Sequence, residues 1–210
     1  MPGSTVVRPK LCTACKTCEL QCALVHSESK NILQAIRETP LPEARIGLKK
    51  AKRVVVPVVC SHCENPPCVA ACPEGALFKS GQDAPTLLNE SKCTGCGLCI
   101  EACPVGALQM NREGKIVLKC DQCIDRQKTG LLPACVTGCP TGALEWHTGR
   151  IQYEIDAELC KACGMCIKVC PVEAITGAKK TPHVINKEKC IKCGNCFTEC
   201  PFDAINVLDI

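Results

Sequence analysis

The chain has 210 residues, a formal net charge of +4 and 24 cysteines, but only five aromatic side chains. Cysteine at that density usually marks a secreted disulfide scaffold. Here the cysteines cluster two residues apart, which favours shared metal ligation, and "MPGSTVVRPK" has neither an apolar signal core nor a twin-arginine pair, so a reduced, cytoplasmic chain is expected.

Scattered basic residues without aromatic stacking partners exclude a nucleic-acid groove, and no apolar run is long enough to cross a bilayer. Group one is Cys12, Cys15, Cys18 and Cys22, at gaps of two, two and three, with Ala23 after the last. Residues 23–36, "ALVHSESKNILQAI", show helical periodicity, and "TPLPEARIG" (39–47) reads as a proline-punctuated loop. "RVVVPVV" predicts a strand leading into group two, Cys60, Cys63, Cys68 and Cys72, where one gap widens to four residues. "APTLLNESK" leads in the same way into group three, Cys93, Cys96, Cys99 and Cys103. "KIVLK" leads into group four, Cys120, Cys123, Cys135 and Cys139, with a gap of eleven. "EWHTGR" (145–150) reads as a junction. "IQYEIDAEL" precedes group five, Cys160, Cys163, Cys166 and Cys170, and "HVINKEK" precedes group six, Cys190, Cys193, Cys196 and Cys200. Every cysteine is used.

Groups three, five and six keep the C-x2-C-x2-C-x3-C-P spacing of bacterial ferredoxins. Three thiolates on a tight loop can hold three corners of one cubane, while a fourth beyond a short helical turn ligates the other cluster of a pair. Proline then opens the next segment without an amide hydrogen to satisfy. The tails "PEGAL", "PVGAL", "PTGAL", "PVEAI" and "PFDAI" place Ala76, Ala107, Ala143, Ala174 and Ala204 where the backbone must pack against a cluster. The chain thus alternates strand, cysteine loop and short helix, an α+β pattern repeated.

Several other chemistries fit less well. Zinc prefers two C-x2-C pairs and a long spacer, so group four is the most zinc-like, and a zinc-binding scaffold is the non-redox alternative. A plant-type two-iron spacing and a haem-attachment motif are absent, and no group lacks a ligand as a three-iron cluster would require. The expectation is six 4Fe–4S clusters, no zinc, and an apo chain without a stable fold. Thiolate ligation would turn the net charge negative. His62 reads as a partly exposed loop residue able to tune a cluster through a hydrogen bond. His26, His147 and His183 read as surface or packing residues without acid or base partners. No nucleotide-binding, hydrolase or metalloprotease motif occurs, so the chain is expected to be no enzyme in its own right.

Residues 151–210 resemble a bacterial two-cluster ferredoxin, and in particular the ferredoxin extensions of hydrogenase and NADH-dehydrogenase-type subunits. That resemblance implies one cluster on Cys160, Cys163, Cys166 and Cys200, and another on Cys190, Cys193, Cys196 and Cys170. Residues 1–150 resemble the four-cluster iron–sulfur subunits of molybdopterin oxidoreductases, formate dehydrogenases and hydrogenases, through the irregular second and fourth groups. That resemblance implies sets Cys12/Cys15/Cys18/Cys139, Cys120/Cys123/Cys135/Cys22, Cys60/Cys63/Cys68/Cys103 and Cys93/Cys96/Cys99/Cys72. Within that family, "CTACKTCELQCALVHSESKNILQAI" and "CSHCENPPCVAACPEGAL" look most like the CooF-type electron-transfer subunit of carbon monoxide dehydrogenase. The implied function is a polyferredoxin passing low-potential electrons from carbon monoxide dehydrogenase to a hydrogenase, a flavin NAD(P) reductase or a ferredoxin. The alternative is service to a formate dehydrogenase, hydrogenase or aldehyde oxidoreductase. Residues 1–150 and 151–210 are the expected domains.

Overall fold

With so few rings the chain can build only small apolar cores, and its strands are short to match. The computed structural model describes residues 3–51, 54–81 and 84–210. Its strands are β1 (Gly3–Val7), β2 (Gly47–Ala51), β3 (Val54–Val58), β4 (Leu77–Lys79), β5 (Thr86–Leu88), β6 (Gln109–Met110), β7 (Val117–Leu118), β8 (Leu144–Thr148), β9 (Ile151–Ile155), β10 (Ile175–Thr176), β11 (Val184–Ile185) and β12 (Ile205–Asp209). Its helices are α1 (Thr17–Val25), α2 (Ile32–Ala35), α3 (Pro67–Ala70), α4 (Leu98–Glu101), α5 (Ile124–Lys128), α6 (Ala134–Thr137), α7 (Met165–Lys168) and α8 (Asn195–Glu199). This is the α+β architecture of tandem ferredoxin-type units.

Among the described residues the sheets are antiparallel pairs, and the pairing is informative: β1–β8, β2–β3, β4–β5, β6–β7, β9–β12 and β10–β11. β1 precedes group one and β8 follows group four. β4 follows group two and β5 precedes group three. Groups five and six are joined both ways, by β9–β12 and β10–β11. The short helices repeat the scheme, with α1 on α6, α3 on α4 and α7 on α8. Three apolar cores follow, one for each pair of groups. Cysteines fill many of their positions, Cys18, Cys22 and Cys135 sharing one core with Ile46, Val59 and Leu144.

β1 alternates as a strand must. Val6 is buried in the core of residues 151–210, while Val7 packs on the core of groups one and four. Polar contacts tie the same two parts together: Lys10 Nζ to Asp203 at 2.6 Å, His147 Nδ1 to Asp209 at 2.8 Å, and Arg8 over the Phe197 ring at 5.7 Å.

Three expectations change. The helix expected over 23–36 is interrupted: Ser27 Oγ donates to the Leu24 carbonyl, Lys30 is left-handed, and the chain restarts as α2 under an Asn31 cap. Serine and asparagine compete for backbone bonds and so end helices. "EWHTGR" is mostly β8 rather than a linker, and only Gly149 and Arg150 join it to β9. The strands before groups three, four and six shrink to two or three residues. The Arg53 end of "RVVVPVV" lies outside the described residues, and the rest of the run is β3 apart from Val59.

Candidate metal centres

Each cysteine loop turns through the same left-handed step. The second residue after the leading cysteine has positive φ in all six groups: Ala14, His62, Gly95, Gln122, Ala162 and Lys192. Such alternations turn successive amides toward an anion. The amides of Ala14, His62 and Gln122 approach Cys12, Cys60 and Cys120 Sγ at 3.4–3.5 Å. A second left-handed residue, Lys16, Gly97, Gly164 or Gly194, opens the helix of groups one, three, five and six. Gly194 is required twice over, because a Cβ there would lie 2.8 Å from Tyr153 Oη.

After the proline, Gly75, Gly106, Gly142, Glu173 and Asp203 hold a third left-handed position. The following alanines are all buried. The amides of Ala107, Ala174 and Ala204 turn back to Cys103, Cys170 and Cys200 Sγ at 3.2–3.4 Å. Group one lacks this tail. Its Cys22 instead receives the Arg45 amide, at 3.2 Å, from the proline-punctuated loop. That is what the long cysteine-free stretch contributes, and no spacing rule reveals it.

The sulfurs gather across groups rather than within them. Cys12, Cys15 and Cys18 share a cavity with Cys139; Cys93, Cys96 and Cys99 share one with Cys72. Cys160, Cys163 and Cys166 share a cavity with Cys200, and Cys190, Cys193 and Cys196 share one with Cys170. These cavities measure 290–310 Å³ with their mouths included. For the other two sets, like charges reach Cys135 from Cys120, Cys22 and Cys123, and also from Cys18 of the neighbouring set, and reach Cys63 from Cys60, Cys68 and Cys103. Burial, reinforced by these like charges, pushes the Cys22, Cys63 and Cys196 thiols up to about 12. Such thiols ionise only against a cation, so four of them around a cavity, with amides aimed at the sulfurs, fit a four-iron cluster.

The histidines differ from expectation. His26 Nδ1 meets the Cys22 carbonyl at 2.6 Å and its Nε2 meets Asp121 at 3.1 Å, so both nitrogens face acceptors. His147 pairs with Asp209, and His183 is buried with Nδ1 3.7 Å from Cys160 Sγ. His62 is the partly exposed loop residue expected, but its Nε2 is enclosed, and burial lowers the ring's proton affinity. Sequence reasoning also passed over Lys119, 3 % exposed, whose Nζ lies 3.2 Å from Cys60 Sγ.

Asp121 joins His26, Arg45 and the Cys123 amide in one network. Burial alone would raise its carboxyl, but the His26 hydrogen bond, with the His26 and Arg45 charges, outweighs burial and holds it well below the usual carboxylate range. A depressed folded value means stabilisation that is complete above about pH 4 and lost as pH falls further. Asp121→Asn should therefore cost about 2 kcal/mol at pH 7, read as a lower guanidinium midpoint of the iron-loaded protein. The deficit should shrink as pH falls below about 4, where the wild-type carboxylate loses its advantage; a deficit that grows there would contradict this assignment.

The 4Fe-4S dicluster domain family matches residues 51–148, and the 4Fe-4S binding domain family matches residues 153–176 and 183–206. An iron-sulfur protein of Rhodospirillum rubrum is 36% identical over 148 residues, covering 65% of this chain and 77% of that protein. The chain belongs to the ferredoxin-type 4Fe–4S iron–sulfur proteins. Within that family, a tetrathionate reductase subunit of Salmonella typhimurium is 37% identical over 134 residues, 63% of this chain, which spans about half (52%) of that subunit's length. A component of the anaerobic dimethyl sulfoxide reductase of Escherichia coli is 35% identical over 144 residues, 64% of this chain and 68% of that protein. This ferredoxin-type protein is thus homologous to subunits of tetrathionate and dimethyl sulfoxide reductases. Among the described residues no helix is long and apolar enough to cross a membrane.

Proposed function

We propose that the chain is a cytoplasmic polyferredoxin, an electron-transfer subunit of an oxidoreductase complex with six 4Fe–4S clusters and no substrate site of its own. The observation that carries this reading is the sharing of cavities by four sets of four cysteines, each set borrowing its fourth member from the partner group. Bound 4Fe–4S clusters supply one-electron transfer. The chain's own residues hold them through thiolates, shield them with alanines and short strands, and tune them with amide and lysine donors. Residues 1–150 would carry four clusters and residues 151–210 two. All-thiolate ligation favours low potentials, since histidine ligands raise them.

For the partner, the resemblance of residues 12–36 and 60–77 supports carbon monoxide dehydrogenase as donor, with a hydrogenase, a flavin NAD(P) reductase or a ferredoxin as acceptor. A second reading makes the chain the subunit that feeds a terminal reductase, and the tetrathionate and dimethyl sulfoxide reductase relatives support it. The two readings differ in the direction of flow. The test mixes the anaerobic protein with catalytic carbon monoxide dehydrogenase and CO, and follows bleaching of the visible band, with formate dehydrogenase and formate in parallel. Fast bleaching with CO alone supports the first reading. No bleaching with CO, but rapid return of colour when the reduced protein meets a reductase catalytic subunit and its oxidant, replaces it with the second.

A further inference from the structure

Two polar side chains cross between neighbouring cysteine loops in opposite senses. Lys119 follows β7 and directly precedes Cys120, yet its Nζ reaches Cys60 Sγ at 3.2 Å and the Cys120 carbonyl at 2.9 Å. It is 3 % exposed, and a buried ammonium needs an anion beside it. His62 lies between Cys60 and Cys63, at φ 45. Its Nδ1 accepts the Thr86 amide at 3.1 Å, which leaves the ring proton on Nε2. That N–H is enclosed and forms no hydrogen bond, and Cys120 of the other loop is among the side chains that act on the ring, with Lys119 and Asp121. An enclosed donor left unpaired is costly, and a thiolate at Cys120 would accept it.

We propose that His62 and Lys119 form a reciprocal bridge between two centres, each residue carried on one cysteine loop and donating to a thiolate of the other. Lys119 acts on the set Cys60/Cys63/Cys68/Cys103, and His62 on the set Cys22/Cys120/Cys123/Cys135. A donor to a ligand sulfur stabilises the more negative, reduced state, so the bridge raises the potential of both centres. It also locks together the loops where the pairing of groups one and four meets that of groups two and three. The inference rests on the cluster reading above.

The test is an anaerobic, EPR-monitored redox titration of the whole protein, with iron and sulfide measured on each sample. His62→Phe should lower the potential of one centre and Lys119→Met that of a second, each by about tenfold in the reduced-to-oxidised ratio at fixed potential, or about 59 mV for one electron. His62→Gln, which keeps an N–H on that side, should restore most of the loss. Full iron with unmoved potentials in both variants overturns the bridge and leaves the six-cluster reading standing, whereas wild-type protein without iron in these sets overturns the reading itself. Should the variants fail to load iron, pulsed EPR of reduced wild-type protein carrying nitrogen-15 lysine decides. A resolved lysine nitrogen coupling supports the bridge and its absence overturns it.

Discussion

Anaerobic removal of iron will unfold this protein, not merely bleach it. Its sheets, among the described residues, are two-stranded, and isolated hairpins of that kind are marginal in water. Its cores are built partly from cysteine: in the core of residues 151–210, Cys166 and Cys196 stand among Ile151, Ile175, Ile185 and Ile205. Without a cluster, the thiols of four sets face cavities whose apolar lining, such as Leu48 and Leu144 or Ile155 and Ile205, loses the group it packs against. A domain's net stability is about 5–15 kcal/mol, and a structural zinc ion alone contributes about 10–16 kcal/mol to a small fold. Losing several such terms exceeds what the apolar contacts supply. Circular dichroism after chelation should show loss of strand and helix signal together with colour, and native spectra in the iron-free protein would contradict the account.

The second large effect concerns ligation across groups. Cys22→Ala should disable the cluster on Cys120, Cys123 and Cys135, about a hundred residues away, and leave the one on Cys12, Cys15 and Cys18 complete. Iron counting of double variants reads this directly. Cys22→Ala with Cys120→Ala should lose one cluster, about four irons of about 24, because both residues serve the same cluster. Cys22→Ala with Cys15→Ala should lose two, about eight irons, although these two cysteines share a group. The reverse pattern would mean that each group holds its own cluster.

Much of this was legible in the sequence, for a physical reason. Thiolate spacing is dictated by the geometry of a cubane, so the groups, the helical turn before each fourth cysteine, and the alanine after each proline could be read from residues alone. The fold class followed from the same repeats. What stayed hidden depends on long-range contact. β1 carries no motif, yet it pairs with β8 and lends Val6 to the core of residues 151–210. Arg45 replaces a missing tail amide with its own, which side-chain identity cannot announce. His26 gains an acidic partner, Asp121, 95 positions away. The broken helix after Cys22 was legible in principle, since Ser27, Ser29 and Asn31 are helix-ending residues. Glu38 then closes that loop by accepting from the Ser29 amide and hydroxyl.

The measurement that bears most directly on the account is a reductive titration of the anaerobic protein, with iron, acid-labile sulfide and zinc determined on the same sample. Six 4Fe–4S centres predict about 24 irons, about 24 sulfides and uptake of about six electrons per chain, with the visible band bleaching throughout. A colourless protein holding zinc, or an uptake that stops near four electrons with residues 151–210 intact, would contradict it.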